Sequence, residues 1–147
     1  MNESVIIEKY GRELYDLTET ILHDRYKSHM VVRKVIVRVL QKAKKERYSQ
    51  FERAWIFRIL VEEIQKNLDD HYDPHFSKMK NIPPEKRLES VIEYLDSIPK
   101  LDRFLFILHD KFHFQYDEIA AILGTPIDSL RLRRMQILRR LEDKIWN

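Results

Sequence analysis

The sequence predicts an all-α protein built from two small helical units. Apolar residues recur every three or four positions through most of the chain, and nowhere do apolar and polar residues alternate over the length of a strand. One segment, DPHFSKMKNIPP from Asp73 to Pro84, carries three prolines and no apolar period, so it reads as a linker. The expected division is a helical domain over residues 1–73, a linker over 74–83 and a second helical domain over 84–147. A chain of 147 residues fits one ordinary domain or two small ones of this kind.

The first helix is expected from Ser4 to Leu22, where Ile6, Tyr10, Leu14, Leu17 and Ile21 share one face. The second spans Ser28 to Lys45. Its stripe of Val31, Val32, Val35, Ile36, Val39 and Leu40 is rich in β-branched residues, as a strand would be, but strict alternation is missing and basic residues fall opposite the stripe. A third helix begins near Phe51 with Trp55, Ile56, Ile59, Leu60, Ile64 and Leu68 facing inward, Trp55 being the largest core candidate. Beyond the linker, Leu88, Val91, Ile92 and Leu95 mark a short helix ending before Pro99, and Leu101, Phe104, Leu105, Leu108 and Phe112 mark the next.

The most informative stretch lies near the C-terminus, FQYDEIAAILGTPIDSLRLRRMQILRRL from Phe114 to Leu141. A helix over Tyr116–Leu123 stops at Gly124, which takes the left-handed conformation at little cost. Thr125 is placed to cap a second helix, Pro126 suits its first position and Asp128 can reach back as in a capping box. That helix carries Arg131, Arg133, Arg134, Arg139 and Arg140 around a seam of Leu130, Ile137, Leu138 and Leu141. Helix, tight turn and basic helix together have the form of a DNA-reading helix-turn-helix. An ordinary helical hairpin with a solvated basic face has the same pattern.

Composition excludes several classes. With only Gly11 and Gly124, no glycine-rich phosphate loop can form. Without cysteine there are no disulfides, thiolate zinc sites or cysteine nucleophiles. Neither a leader-like run nor a membrane-length apolar run is present, so a cytoplasmic, soluble protein away from membranes is the expectation. The histidines invite a metal reading at His109, Asp110 and His113, and again at Asp69, Asp70, His71, Asp73 and His75. Neither set completes three or four ligands with a supporting shell, and no serine–histidine–acid spacing stands out. No enzyme activity and no cofactor are expected. Net charge is only +3, but nine basic residues lie between Arg25 and Arg47 against the single acid Glu46. From Glu62 to Asp73 the sign reverses, with five acids against Lys66. The acidic third helix is therefore a candidate to clamp against the basic second one.

Two motifs point to a family: the turn carrying Tyr116, Glu118, Ile119, Ala120, Leu123, Gly124 and Pro126, and the tryptophan-centred run Arg53-Ala54-Trp55-Ile56-Phe57-Arg58-Ile59. Leu95 to Pro99 followed by Arg103 to Lys111, and Tyr10 to Asp24 with its Leu22-His23-Asp24 end, add to them. On these residues nearly the full chain resembles the extracytoplasmic-function sigma factors of the sigma-70 family, in which a region 2 helical domain is joined to a region 4 helix-turn-helix domain. The resemblance implies a DNA-binding protein that directs core RNA polymerase to promoter DNA. Ser129, Arg131, Arg133, Arg134 and Gln136 would then meet the upstream promoter box. Tyr48 would stack on an unpaired promoter base, with Lys45 and Arg47 holding the backbone.

Departures from the family are equally specific. Its polymerase-facing helix is usually acidic and contains glutamine, whereas this chain has Lys27, Ser28, His29, Met30, Arg33 and Lys34 there. Against a partner that presents arginines, that surface is repulsive. Glu62, Glu63, Asp69 and Asp70 stand where the family is usually basic and near DNA, and polar positions of the recognition helix are Leu132 and Met135. These features favour an alternative function, a sigma-like decoy or adaptor that binds an anti-sigma or other regulatory protein without initiating transcription. Arg33, Lys34, Arg38, Leu132 and Met135 are the candidate polymerase- or partner-binding residues.

Overall fold

The structure is a computed structural model that describes residues 2–45, 52–68 and 83–143. Every regular element among them is helical, as the sequence predicts: α1 Glu3–Leu22, α2 Arg25–Lys45, α3 Glu52–Lys66, α4 Arg87–Ser97, α5 Lys100–Phe106, α6 Tyr116–Leu123 and α7 Ile127–Leu141. A 3-10 turn, Pro84–Lys86, leads into α4, and a π turn, Ile107–Lys111, prolongs α5. The chain divides into two compact units, Met1–Leu68 with Ala121–Gly124, and Asp69–Ala120 with Thr125–Asn147. The linker expected over 74–83 and the histidine–aspartate cluster from Asp69 to His75 fall, apart from Pro83, outside the described residues.

In the N-terminal unit α1, α2 and α3 pack against one another around Ile6, Leu14, Leu17, Val35, Val39, Phe57 and Leu60, all fully buried. Burial of such side chains contributes roughly 1.5 to 3 kcal/mol each. Asn2 caps α1 by accepting from the Val5 amide at 3.0 Å. His23 closes it in the left-handed conformation, donating its amide to the Glu19 carbonyl, and Asp24 accepts from the Lys27 amide to start α2. The helices are also tied by charge. Glu52 on α3 accepts from Lys9 and Tyr10, and Glu13 pairs with Arg53. Trp55 is only half-buried; Phe57 fills the core instead. At 100° per residue Trp55 lies on the side of Ile56 away from Leu60, outside the stripe that faces α1 and α2.

In the C-terminal unit the core holds Tyr94, Phe104, Leu105, Leu108, Phe114, Leu130 and Ile137. The inward face of α4 differs from its apolar period: Ser90, Tyr94 and Leu95 are buried, while Leu88 and Ile92 are exposed. Arg103 of α5 is 1% exposed. Its Nε donates to the Leu95 carbonyl at 2.9 Å and its Nη2 to the carbonyls of Asp96 at 2.7 Å and Ile98 at 3.4 Å, so a buried guanidinium satisfies the open end of α4. The π turn ends where the Phe112 amide reaches Ile107 and the Phe114 amide reaches Leu108.

The helix-turn-helix has its own local logic. The Glu118 carboxylate reaches back to the Gln115 amide at 2.9 Å, opening α6 as in a capping box. Gly124 has φ +63°, and the Thr125 amide bonds the Ala120 carbonyl at 3.2 Å, which is the Schellman closure. α7 then starts at Ile127, with Pro126 in the cap position. Thr125 and Pro126 thus stand one residue earlier than expected from the sequence, because the Schellman closure uses the Thr125 backbone to end α6.

Candidate nucleic-acid interface

The buried seam of α7 is Leu130, Ile137 and Leu141; Leu138, expected in the seam, is exposed. Arg133 and Arg134 flank that seam and each meets an acid of the preceding helical segment. Arg133 Nη1 donates to Asp102 Oδ1 at 2.9 Å. Arg134 grips Asp110 with two bonds, Nε to Oδ1 at 2.9 Å and Nη2 to Oδ2 at 3.0 Å. Burial by itself would raise the Asp110 carboxyl; the hydrogen bonds from Arg134 and His109, together with their charges, outweigh it and hold Asp110 below the usual carboxylate range.

Tyr116 and His109 complete this cluster. The His109 ring stacks on Tyr116 at 4.6 Å, and its Nδ1 lies 2.7 Å from Asp110 Oδ1. The Arg131 guanidinium sits 5.4 Å over the Tyr116 ring, which orients an otherwise exposed side chain. Ser129 is half-buried and Gln136 exposed. Opposite the seam lie Asp128, Leu132, Met135 and Arg139, with Leu132 57% and Met135 50% exposed. Arg140, beside them, is exposed too.

Of the five arginines on this helix, two are therefore fastened to carboxylates, one rests on an aromatic ring, and Arg139 and Arg140 extend the exposed basic surface. The partners Asp102 and Asp110 lie 31 and 24 residues before their arginines, and the π turn sets where Asp110 emerges. No local pattern announces such pairs. The available hint was the position of Arg133 and Arg134 at the edges of an apolar seam, where a guanidinium needs an acceptor.

A second surface lies on α2, which carries eight basic residues and no acid. A groove of about 490 Å³ is lined by Met30, Arg33, Lys34, Val37, Arg38 and Glu63. Arg38 closes one side, donating to Glu62 Oε2 at 2.8 Å and Glu63 Oε1 at 2.9 Å, so the clamp between α2 and α3 forms at this residue. Burial would raise the Glu63 carboxyl, but bonds from Lys66 and Arg38 and their charges hold it low. Arg33, Lys34, Met30 and Val37 face outward as a cationic rim with apolar walls. The Lys45 side chain, Arg47 and Tyr48 lie outside the described residues. Among the described residues no three histidines or acids come together to hold a metal ion, and no helix is long and apolar enough to cross a membrane.

Residues 88–141, which hold α5, α6, α7 and most of α4, match the family described as Sigma-70, region 4. That stretch is similar to a sigma-70 region 4. Nearly the whole fold is shared with a solved structure, described as "Structure of CnrH in complex with the cytosolic domain of CnrY", at a TM-score of 0.72 and 17% sequence identity. That match covers 95% of this chain and 84% of the other. A search of curated protein sequences found no match. The family resemblance read from the sequence therefore holds, through region 4 and through the shared all-helical fold. Within the matched residues, α7 is the second helix of the helix-turn-helix, and its acid-bound arginines tie it to α5 and the π turn.

Proposed function

We propose that this chain is a sigma-type initiation factor: region 4 reads promoter DNA through α7, while the cationic face of α2 meets a protein partner, core RNA polymerase. The observation that carries this reading is the helix-turn-helix itself, closed by Gly124 and presenting an exposed basic helix within a matched region 4. Ser129, Arg131 and Gln136 are the assigned contact residues, joined by Arg139 and Arg140. Arg133 and Arg134 keep the place in the site given by the resemblance; engaged by Asp102 and Asp110, they act there chiefly by orienting the helix. Lys45, Arg47 and Tyr48 remain the proposed promoter-base contacts of the N-terminal unit.

The alternative reading, a sigma-like decoy or adaptor for an anti-sigma or other regulatory protein, is favoured by one feature. Arg33 and Lys34 rim an apolar groove that suits an acidic partner and repels a basic one. The similar solved protein, CnrH, is itself bound to another protein, the cytosolic domain of CnrY. The deciding experiment mixes the purified chain with core RNA polymerase, with and without promoter DNA, and reads complex formation and transcript synthesis. Initiation requires a stable complex with core that yields transcript from promoter DNA. Failure to bind core, alongside tight binding to an anti-sigma protein, establishes the adaptor instead.

A further inference from the structure

The outward face of α7 has an unusual centre for a DNA-reading helix. Leu132 and Met135, three residues apart, stand opposite the buried seam of Leu130 and Ile137, and both are at least half exposed. Neither can donate or accept a hydrogen bond at a base edge in the way asparagine, glutamine or arginine does. What they can meet in a major groove is the one apolar group displayed there, the C5-methyl of thymine.

The surroundings favour nucleic acid over protein as the occupant. Arg131, Arg139 and Arg140 are exposed around the apolar pair, a cationic frame that complements phosphates on either side of a groove. Asp128, at the start of the same face, is an acceptor suited to the amino group of cytosine. The side chains that would blur the register, Arg133 and Arg134, are held back by Asp102 and Asp110.

We infer that Leu132 and Met135 read thymine methyl groups, making this chain's recognition helix selective for a thymine-containing step through apolar contact. The inference rests on the DNA-binding reading proposed above. A methyl group buried against such a side chain corresponds to about a fourfold gain in affinity.

The test uses the full chain to select a preferred sequence from a pool of random duplexes. Each thymine in that sequence is then replaced by uracil, which pairs identically but lacks the methyl. The expected result is a three- to fivefold loss of affinity at one or two thymines, with no loss elsewhere. In a Leu132→Ala, Met135→Ala variant, folded by circular dichroism, affinity for the thymine duplex drops and the uracil penalty disappears. A preferred sequence indifferent to uracil at every position overturns this inference alone. Full retention of affinity in the double variant also overturns it. A pool yielding no preferred sequence overturns the DNA-binding reading and this inference with it.

Discussion

Replacing Arg134 by methionine removes the guanidinium but keeps most of the side chain's length, so it isolates the bidentate grip on Asp110. The two side chains are 27% and 25% exposed, between the fully wet and fully buried limits. Exposed pairs contribute about 0 to 1 kcal/mol and breaking a buried one costs about 3 to 5, so the expected loss is about 2 kcal/mol. For a unit of this size that lowers the melting temperature by about 10 °C. The assay is a double-mutant cycle with Asp110→Asn, followed by urea unfolding. Because the partners touch at 2.9 and 3.0 Å, the two changes should be non-additive by about 1 kcal/mol or more. The Arg134→Met variant should bind DNA with an unchanged dependence on salt, since an acid-bound arginine neutralises no phosphate. Coupling below about 0.3 kcal/mol, the scatter of independent sites, would refute the pairing. A fall of about 0.9 in the salt slope would show that Arg134 leaves Asp110 for the duplex.

Four further outcomes follow from the same geometry. Arg131→Ala should reduce the slope of log affinity against log salt by about 0.9, measured by fluorescence anisotropy between low and moderate salt, if this exposed arginine meets one phosphate. Arg103→Met should lower stability by about 3 kcal/mol in urea unfolding, since three carbonyls at the end of α4 lose a charged donor. Arg103→Lys should not restore it, because an ammonium lacks the planar fork. Gly124→Ala should cost about 1 to 2 kcal/mol by the same measurement, although nothing lies within 4 Å of an added Cβ, because the φ of +63° is the whole penalty. Acid should also destabilise the protein in a defined window. Asp110, Glu63 and Glu52 are held below their ordinary values of 3.8, 4.5 and 4.5. Their contribution is therefore present at neutral pH and is lost as pH falls from those values through the lower folded ones. Urea midpoints should stay level from pH 7 to about 5 and drop below about 4.5, and the drop should be shallower in a variant lacking Arg38 and Arg134.

The helices themselves were legible before any coordinates, since period-3.6 stripes, a glycine stop and the missing alternation are local properties of the chain. α6 begins and ends where its apolar run does, and α7 starts one residue later than its capping pattern implied. The basic second helix and acidic third helix were also visible as charge runs, and Arg38 with Glu62 and Glu63 realises the clamp they suggested. Which face each helix buries was less accessible. Trp55, Leu88, Ile92 and Leu138 look like core residues by hydrophobicity, yet they sit at or beyond the edges of their stripes, and their neighbours take the interior.

The amino-acid order alone thus determined helix, turn and helix, the family they resemble and the sign of charge on each surface, because capping, periodicity and charge act over a few residues. Only the tertiary fold decided what the arginines do. Residues 24 and 31 positions apart had to be brought to hydrogen-bonding distance before Arg134 and Arg133 could be seen to hold α7 in place, leaving Arg131, Arg139 and the apolar pair outermost. Such pairings depend on where packed helices put their side chains in space, which no sequence spacing encodes.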